Sequence, residues 1–143
     1  VVLSHDVIDE GDAMPLVNID VLRGRSEDQL KTIIQAAHDA MVEAFDVPDR
    51  DRYVVLTQHE PFELSIQDTG LGIERTDDVV VFRYTSRQRS QAGKVRLYEL
   101  LTANLKERAG IEPSDVVVSI VENGDADWSF GNGEAQFLTG ALD

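Results

Sequence analysis

The chain has 143 residues, room for one domain with a real core, and a formal net charge of −14. Such a charge argues against nucleic acid or an anionic membrane surface as a partner, and any site for an acid must supply its own cations. With no cysteine in the chain, disulfide and thiolate chemistry are excluded and a reducing cytoplasm is the expected setting. No apolar run approaches the roughly 18 residues that a membrane span needs.

Residues 1–14 carry Asp6, Asp9, Glu10 and Asp12 but no Lys or Arg. A secretory signal needs a basic start and a longer apolar centre, so this stretch reads as an acidic extension or the product of an upstream start assignment. A single domain is expected over 15–143. Met14-Pro15 opens an alternating strand, Leu16 to Leu22. With Pro15 as first residue, its secondary amine would be a base and nucleophile, and a compact cation when protonated. Inside a chain the same nitrogen is an amide without basicity.

Ser26, with Gln29 three residues on, marks the start of a helix. Leu30, Ile33, Ile34, Ala37, Met41 and Val42 recur at helical spacing as its buried stripe, and Val47-Pro48 ends it. A charged turn through Asp49, Arg50 and Asp51 leads into a second strand, Tyr53 to Gln58. Residues 60–78 form a long connection. Its Gly70-Leu71-Gly72 reads as turn chemistry, because no strand and helix frame it as a phosphate loop.

Val79 to Thr85 is a β-branched third strand. A second helix is expected from Ser90 to Ala109, with Leu97, Leu101 and Leu105 facing inward and Tyr98 beside them. Gly110 suits its C-terminal cap, and Val116 to Val121 gives a fourth strand. The remainder, 122–143, holds the only tryptophan, Trp128, among glycines and acids. It reads as an arm that covers a neighbour or closes a pocket.

The second half repeats the first. An offset of 64 maps Arg23 onto Arg87, Arg25 onto Arg89, Ser26 onto Ser90 and Asp51 onto Asp115. Two β-α-β units, about 15–58 and 79–121, predict an α+β fold. Four strands make one mixed sheet, with both helices on one face. The other face is expected to be apolar and uncovered, which favours oligomerisation.

A pseudo-twofold between the units sets the first and third strands antiparallel at the centre. Pro15 then lies near the end of strand three, with Arg87 and Arg89 just beyond it. Two arginines two residues apart on an extended segment can point the same way and grip one carboxylate. They also stand at a helix N-terminus, which favours anions. Asp51 is a further candidate. His38 is expected to pack rather than ligate, and no two histidines have metal-ligand spacing. No serine has the local context of a nucleophile.

The chain from Pro15 to Leu142 resembles the tautomerase superfamily, whose members use an amino-terminal proline, and within it the malonate semialdehyde decarboxylases. The resemblance rests on Ala36-Ala37-His38, Asp51-Arg52-Tyr53, Asp68-Thr69-Gly70-Leu71-Gly72, Ser86-Arg87-Gln88-Arg89-Ser90 and Asp125-Ala126-Asp127-Trp128-Ser129-Phe130-Gly131. It implies Pro15 and Asp51 as catalytic residues, and Arg87 and Arg89 as the pair that binds the substrate carboxylate. Trp128, Phe130, Phe137 and Leu142 would form an apolar wall around a small anionic oxo acid. It also implies a homotrimer that needs no metal or organic cofactor. The implied reaction is decarboxylation of a 3-oxo acid such as malonate semialdehyde. The alternatives are tautomerisation or hydration of 2-oxo or unsaturated acids, or silent binding if residues stay attached ahead of Pro15.

Overall fold

The computed structural model describes residues 15–142, so the expected acidic extension and Asp143 lie outside the described residues. The elements are β1 (Leu16–Leu22), α1 (Glu27–Phe45), β2 (Val54–His59), β3 (Val80–Arg87), α2 (Gln91–Ala109), β4 (Val116–Asn123) and a short α3 (Gln136–Thr139). One mixed sheet has the order β2-β1-β3-β4, with β1 parallel to β2, β3 parallel to β4, and β1 antiparallel to β3. This is the α+β fold expected of a doubled β-α-β unit. The offset of 64 places both ends of α1 on both ends of α2.

The helix caps follow from side chains. Ser26 Oγ accepts from the Gln29 backbone at 3.2 Å, and Gln29 Oε1 accepts from the Ser26 backbone at 2.8 Å. Ser90 Oγ accepts from Gly93 N–H at 3.0 Å. Each satisfies an N–H that the first turn leaves without a partner. Both helices end in a left-handed residue at equivalent positions, Asp46 (φ 53°) and Gly110 (φ 68°).

The core lies between the sheet and the helices. Val17, Ile19 and Val21 of β1 register with Tyr84, Phe82 and Val80 of β3, and all are buried. Ile33, Ala37 and Met41 of α1, and Leu97, Leu101 and Leu105 of α2, close over them. Alanines 36, 40 and 44 let the helices approach closely enough for Asn104 Nδ2 to donate to the Ala36 carbonyl at 3.2 Å. Leu30, Ile34 and Val42 rim this core, and Tyr98, expected beside the inner leucines, is exposed.

Two expectations change. Strands β3 and β4 each run two residues further, so Arg87 ends β3 instead of following it; Ser86 pairs with Glu122 and Arg87 with Asn123. Polar side chains masked that extension. The open sheet face is also not simply apolar. Leu16, Val81 and Val117 share it with a central ion cluster, in which Asp20 takes His59 Nε2 at 2.8 Å on one oxygen and Arg83 Nε at 3.0 Å on the other. Strand alternation put charged residues at positions where a β-branched run suggested a continuous apolar surface.

Candidate active site

The sheet topology collects the sequence candidates at one end. Leu16 pairs with Thr85, so Pro15, buried at the head of β1, lies beside Ser86. The parallel partner contributes from the other side, where Val17 N–H donates to the Tyr53 carbonyl at 2.9 Å. The starts of β1 and β2 and the ends of β3 and β4 thus share one edge. That edge holds Pro15, Asp51, Tyr53, Ser86, Arg87, Arg89 and Glu122.

The two arginines are held differently. Arg87 Nη1 donates to Asp125 Oδ1 at 2.7 Å, and its guanidinium carbon sits 4.0 Å from the centre of the Phe137 ring. Asp125 and Phe137 belong to the C-terminal arm, so these contacts of Arg87 fasten the arm to the sheet. Arg89 is buried against the core, 4.7 Å over the Phe45 ring, and its Nε donates to Ser86 Oγ at 3.0 Å. Its backbone N–H donates to Glu122 Oε2 at 2.9 Å, and the same oxygen takes Lys94 Nζ at 2.8 Å. The Lys94 and Arg89 hydrogen bonds hold the Glu122 carboxyl below its usual range against the opposing effect of burial.

Asp51 is 9% exposed, and among the described residues its carboxylate has no hydrogen-bond partner. Burial raises its pKa, and the charges of Arg50 and His38 offset only part of that rise. His38 packs as expected. Its Nε2 donates to the Asp49 carbonyl at 2.7 Å, pinning the turn that presents Asp51, while Nδ1 is buried without a partner among the described residues.

The arm brings aromatic rings over this edge. Trp128 stacks on Phe130 at 5.3 Å, Phe137 meets Phe130 edge-on at 5.4 Å, and Tyr53 meets it at 5.6 Å. Trp128 Nε1 donates to Asn123 Oδ1 at 2.7 Å, which fixes the indole to the end of β4. Leu142 lies past α3 with an exposed side chain, its N–H donating to the Gln136 carbonyl at 3.1 Å. Tyr53, Ser86 and Asp125 stand within the stretches that carry the family resemblance but had no role assigned from the sequence, and Lys94 and Glu122 were not proposed for the site. Ser86 and Glu122 are paired in the β3–β4 register, and Tyr53, Lys94 and Asp125 reach the same end of the sheet from flanking segments, a placement that appears only once the strands are paired.

The opposite edge carries the duplicate residues in another arrangement. Arg23 pairs with Glu60 at 2.6 Å, and Arg25 donates to the Asp78 carbonyl at 2.8 Å beside an open cavity of about 400 Å³. Val79 stands where Pro15 stands in the first unit. Asp115, counterpart of Asp51, is fully engaged by Thr76, whose N–H and hydroxyl donate at 2.7 and 2.5 Å. Among the described residues, no group of three or more His, Asp or Glu side chains is placed to hold a metal ion.

Two family models, both described as tautomerase enzymes, match residues 51–131 and 15–74. A probable tautomerase of Bacillus subtilis (strain 168), YrdN, is 49% identical over 129 residues, 90% of this chain and 100% of its own. The chain belongs to the tautomerase superfamily. A second probable tautomerase of that organism, YusQ, is 35% identical over 87% of this chain and 99% of its own. Among solved structures, this tautomerase-superfamily chain is similar to a malonate semialdehyde decarboxylase studied for its decarboxylase and hydratase activities. The identity is 51% and the TM-score 0.87, over 90% of this chain and 99% of the other. A malonate semialdehyde decarboxylase inhibited by 3-bromopropiolate is 40% identical, with a TM-score of 0.85, over 89% and 97%.

Proposed function

We propose that this protein decarboxylates a small 3-oxo acid such as malonate semialdehyde, giving acetaldehyde and carbon dioxide, with Pro15 as an amino-terminal base or cation. The observation that carries this reading is the pairing of Leu16 with Thr85, which sets the head of β1 against the Ser86–Arg89 segment. The 51% identity to a malonate semialdehyde decarboxylase supports the same substrate class. A tautomerase family model whose match begins at residue 15 supports a domain that begins near Pro15.

Each residue has a chemical task in this reading. Arg87 and Arg89 hold the substrate carboxylate, which fixes the bond that must break. The electrons of that carbon–carbon bond move into a new carbon–carbon double bond, and those of the carbonyl π bond move to its oxygen. A protonated Pro15 stabilises that oxygen by hydrogen bonding; condensation to an iminium makes nitrogen the sink instead. A proton then adds at the carbon that lost carbon dioxide. Asp51 keeps the proline cationic against the nearby arginines. Trp128, Phe130, Phe137 and Leu142 wall the edge, exclude water and favour release of a neutral gas. The assembly is a homotrimer in the cytoplasm, built through the open sheet face.

A tautomerase reading is favoured by the names of the Bacillus relatives. There a neutral Pro15 would move a proton on a 2-oxo acid, and the two readings differ in their response to pH. An amino-terminal amine titrates near roughly 7.7–8.0 when unperturbed. Decarboxylation needs its protonated form, so the rate falls as pH rises through that value; tautomerisation rises over the same range. The test begins with the mass and amino-terminal sequence of the protein from its native cell. Malonate semialdehyde is then supplied and acetaldehyde followed across pH. Acetaldehyde that declines with rising pH supports decarboxylation. Absence of product alongside an enol–keto activity that grows with pH would replace it with the tautomerase reading.

A further inference from the structure

The twin aspartates are held in place by different means. In the second unit Asp115 is fixed through its own carboxylate, which accepts both Thr76 hydrogen bonds. In the first unit the turn that carries Asp51 is fixed through the residues on either side of it. His38 Nε2 lies 2.7 Å from the Asp49 carbonyl and 3.4 Å from the Asp49 carboxylate. A carbonyl only accepts, so this nitrogen carries the proton. Three residues back on α1, Gln35 Oε1 accepts from Arg52 Nη2 at 2.6 Å. Asp51 stands between these two anchored residues, and its own N–H closes the turn on the Pro48 carbonyl at 3.0 Å.

Both anchors are themselves fixed. His38 is buried on α1, and its spacing of three from Gln35 sets the two side chains one turn apart on the same side of the helix. Gln35 Nε2 donates to Asp39 Oδ1 at 2.8 Å, and Arg108 Nη1 of α2 donates to the other Asp39 oxygen at 2.6 Å. The Gln35 amide cannot turn over without losing a bond at each end. The offset of 64 carries His38 to Thr102 and Gln35 to Glu99, so the duplicated helix has neither imidazole nor amide at these positions. Thr102 Oγ1 donates back into its own helix, to the Tyr98 and Glu99 carbonyls at 2.9 and 3.1 Å. Anchoring of this kind accompanies the one aspartate of the pair whose carboxylate is buried without a hydrogen bond among the described residues.

We propose that His38 and Gln35 are positioning residues, which hold the turn from 48 to 52 against α1 and so keep the Asp51 carboxylate buried at the candidate edge. This rests on the reading of Asp51 as the acid that acts on Pro15, and adds what keeps it in place. A carboxylate held by its neighbours directs its charge at the amine, whereas one held as Asp115 is directs it at Thr76. The charged groups that act on this centre are Arg50 and His38 on Asp51, and Asp39 and Asp49 on His38.

The test follows the titration of Asp51 by carbon-13 NMR of aspartate-labelled protein, with the signal assigned by its loss in Asp51→Asn. Burial raises the Asp51 pKa and the His38 charge lowers it. Loss of that charge alone would push the value further up, whereas release of the turn into water brings it down toward the ordinary 3.8. The expected result is a fall in His38→Leu, a smaller fall in Gln35→Ala, and a value still raised in His38→Gln, whose amide keeps a donor at the same reach. Gln35 is exposed, so Gln35→Ala decides the matter if His38→Leu does not fold. An unchanged or raised value in His38→Leu or Gln35→Ala, or a fall in His38→Gln equal to that in His38→Leu, would overturn the proposal. With malonate semialdehyde, kcat should fall about 10²-fold in His38→Leu at little-changed KM and recover in His38→Gln; an undiminished kcat would also overturn it. No acetaldehyde from the unaltered protein would reject the decarboxylase reading, while the Asp51 titration still decides this one.

Discussion

The two β-α-β units share their helix ends and caps, yet the two ends of the sheet arrange their equivalent polar residues differently. In the first unit β1 is headed by Pro15, and the facing arginines are held by a serine, two phenylalanine rings and Asp125. In the second unit β3 is entered through Asp77-Asp78-Val79, and that backbone itself occupies Arg25. Asp115 receives two hydrogen bonds from Thr76, while its twin Asp51 is buried with none among the described residues. A duplicated scaffold thus differs at its two ends in how one carboxylate is held, Asp115 by Thr76 and Asp51 by no hydrogen bond among the described residues. A buried carboxylate without a hydrogen bond separates the twin aspartates more clearly than residue type does.

The sharpest test of that contrast exchanges charge for amide at the twin aspartates. Asp51→Asn is expected to lower kcat by about 10²–10⁴, the range of a positioned acid or base. It should also make the protein slightly more stable at neutral pH. The sign follows from the raised pKa. The folded state binds the Asp51 proton more tightly than the unfolded chain, so the stability linked to this group is present in acid. That contribution is lost as pH rises through the raised value. The gap between wild type and variant should close below the ordinary carboxylate value of 3.8, as thermal melts across pH would reveal. Asp115→Asn should do the reverse, costing about 1–3 kcal/mol for lost buried hydrogen bonds while kcat per folded molecule stays within a small factor. Equal loss of activity in both variants would break the comparison.

The arginine pairs extend the test at smaller amplitude. Arg87→Ala should raise KM for a carboxylate substrate by roughly 10–100-fold, the range of a lost hydrogen bond to a charged group. Arg23→Ala should leave KM alone, because that side chain is half exposed and, among the described residues, pairs with Glu60. Ser86→Ala removes the hydroxyl that orients Arg89 Nε, and its counterpart in the first unit is Leu22, which offers none. A few-fold rise in KM with unchanged kcat is expected, read from steady-state kinetics.

Much of this contrast was legible before the strands were paired. The repeat, the helix caps and the antiparallel central strands follow from Ser26, Ser90, Gly110 and the spacing of apolar residues, because those signals are local. They put Pro15 next to Arg87 and Arg89. The partners that make the arginines unequal were not legible. Phe45 closes α1, Ser86 sits inside β3 and Asp125 lies in an acidic turn, and each reaches its arginine only through tertiary placement. The open face was misjudged for a related reason. Alternation showed which residues leave the core, but not that Asp20, His59 and Arg83 would meet on three neighbouring strands.

The smallest effect is expected where the halves agree in shape but differ in residue. Both helices end left-handed, α1 at Asp46 with φ 53° and α2 at Gly110 with φ 68°. Glycine takes that conformation freely, whereas a side chain there crowds its own backbone. A Cβ added at Gly110 would meet nothing within 4 Å, so Gly110→Ala should cost only the backbone term, about 1 kcal/mol. Asp46→Gly should return about as much at the other helix, less the larger entropy of a more flexible unfolded chain. Denaturant midpoints measure both, and activity should not change with either. Asp46 adjoins Phe45, which lies under Arg89. A change in KM on Asp46→Gly would therefore show that the end of α1 helps to position the arginine, and that the two helix ends differ in function as well as in sequence.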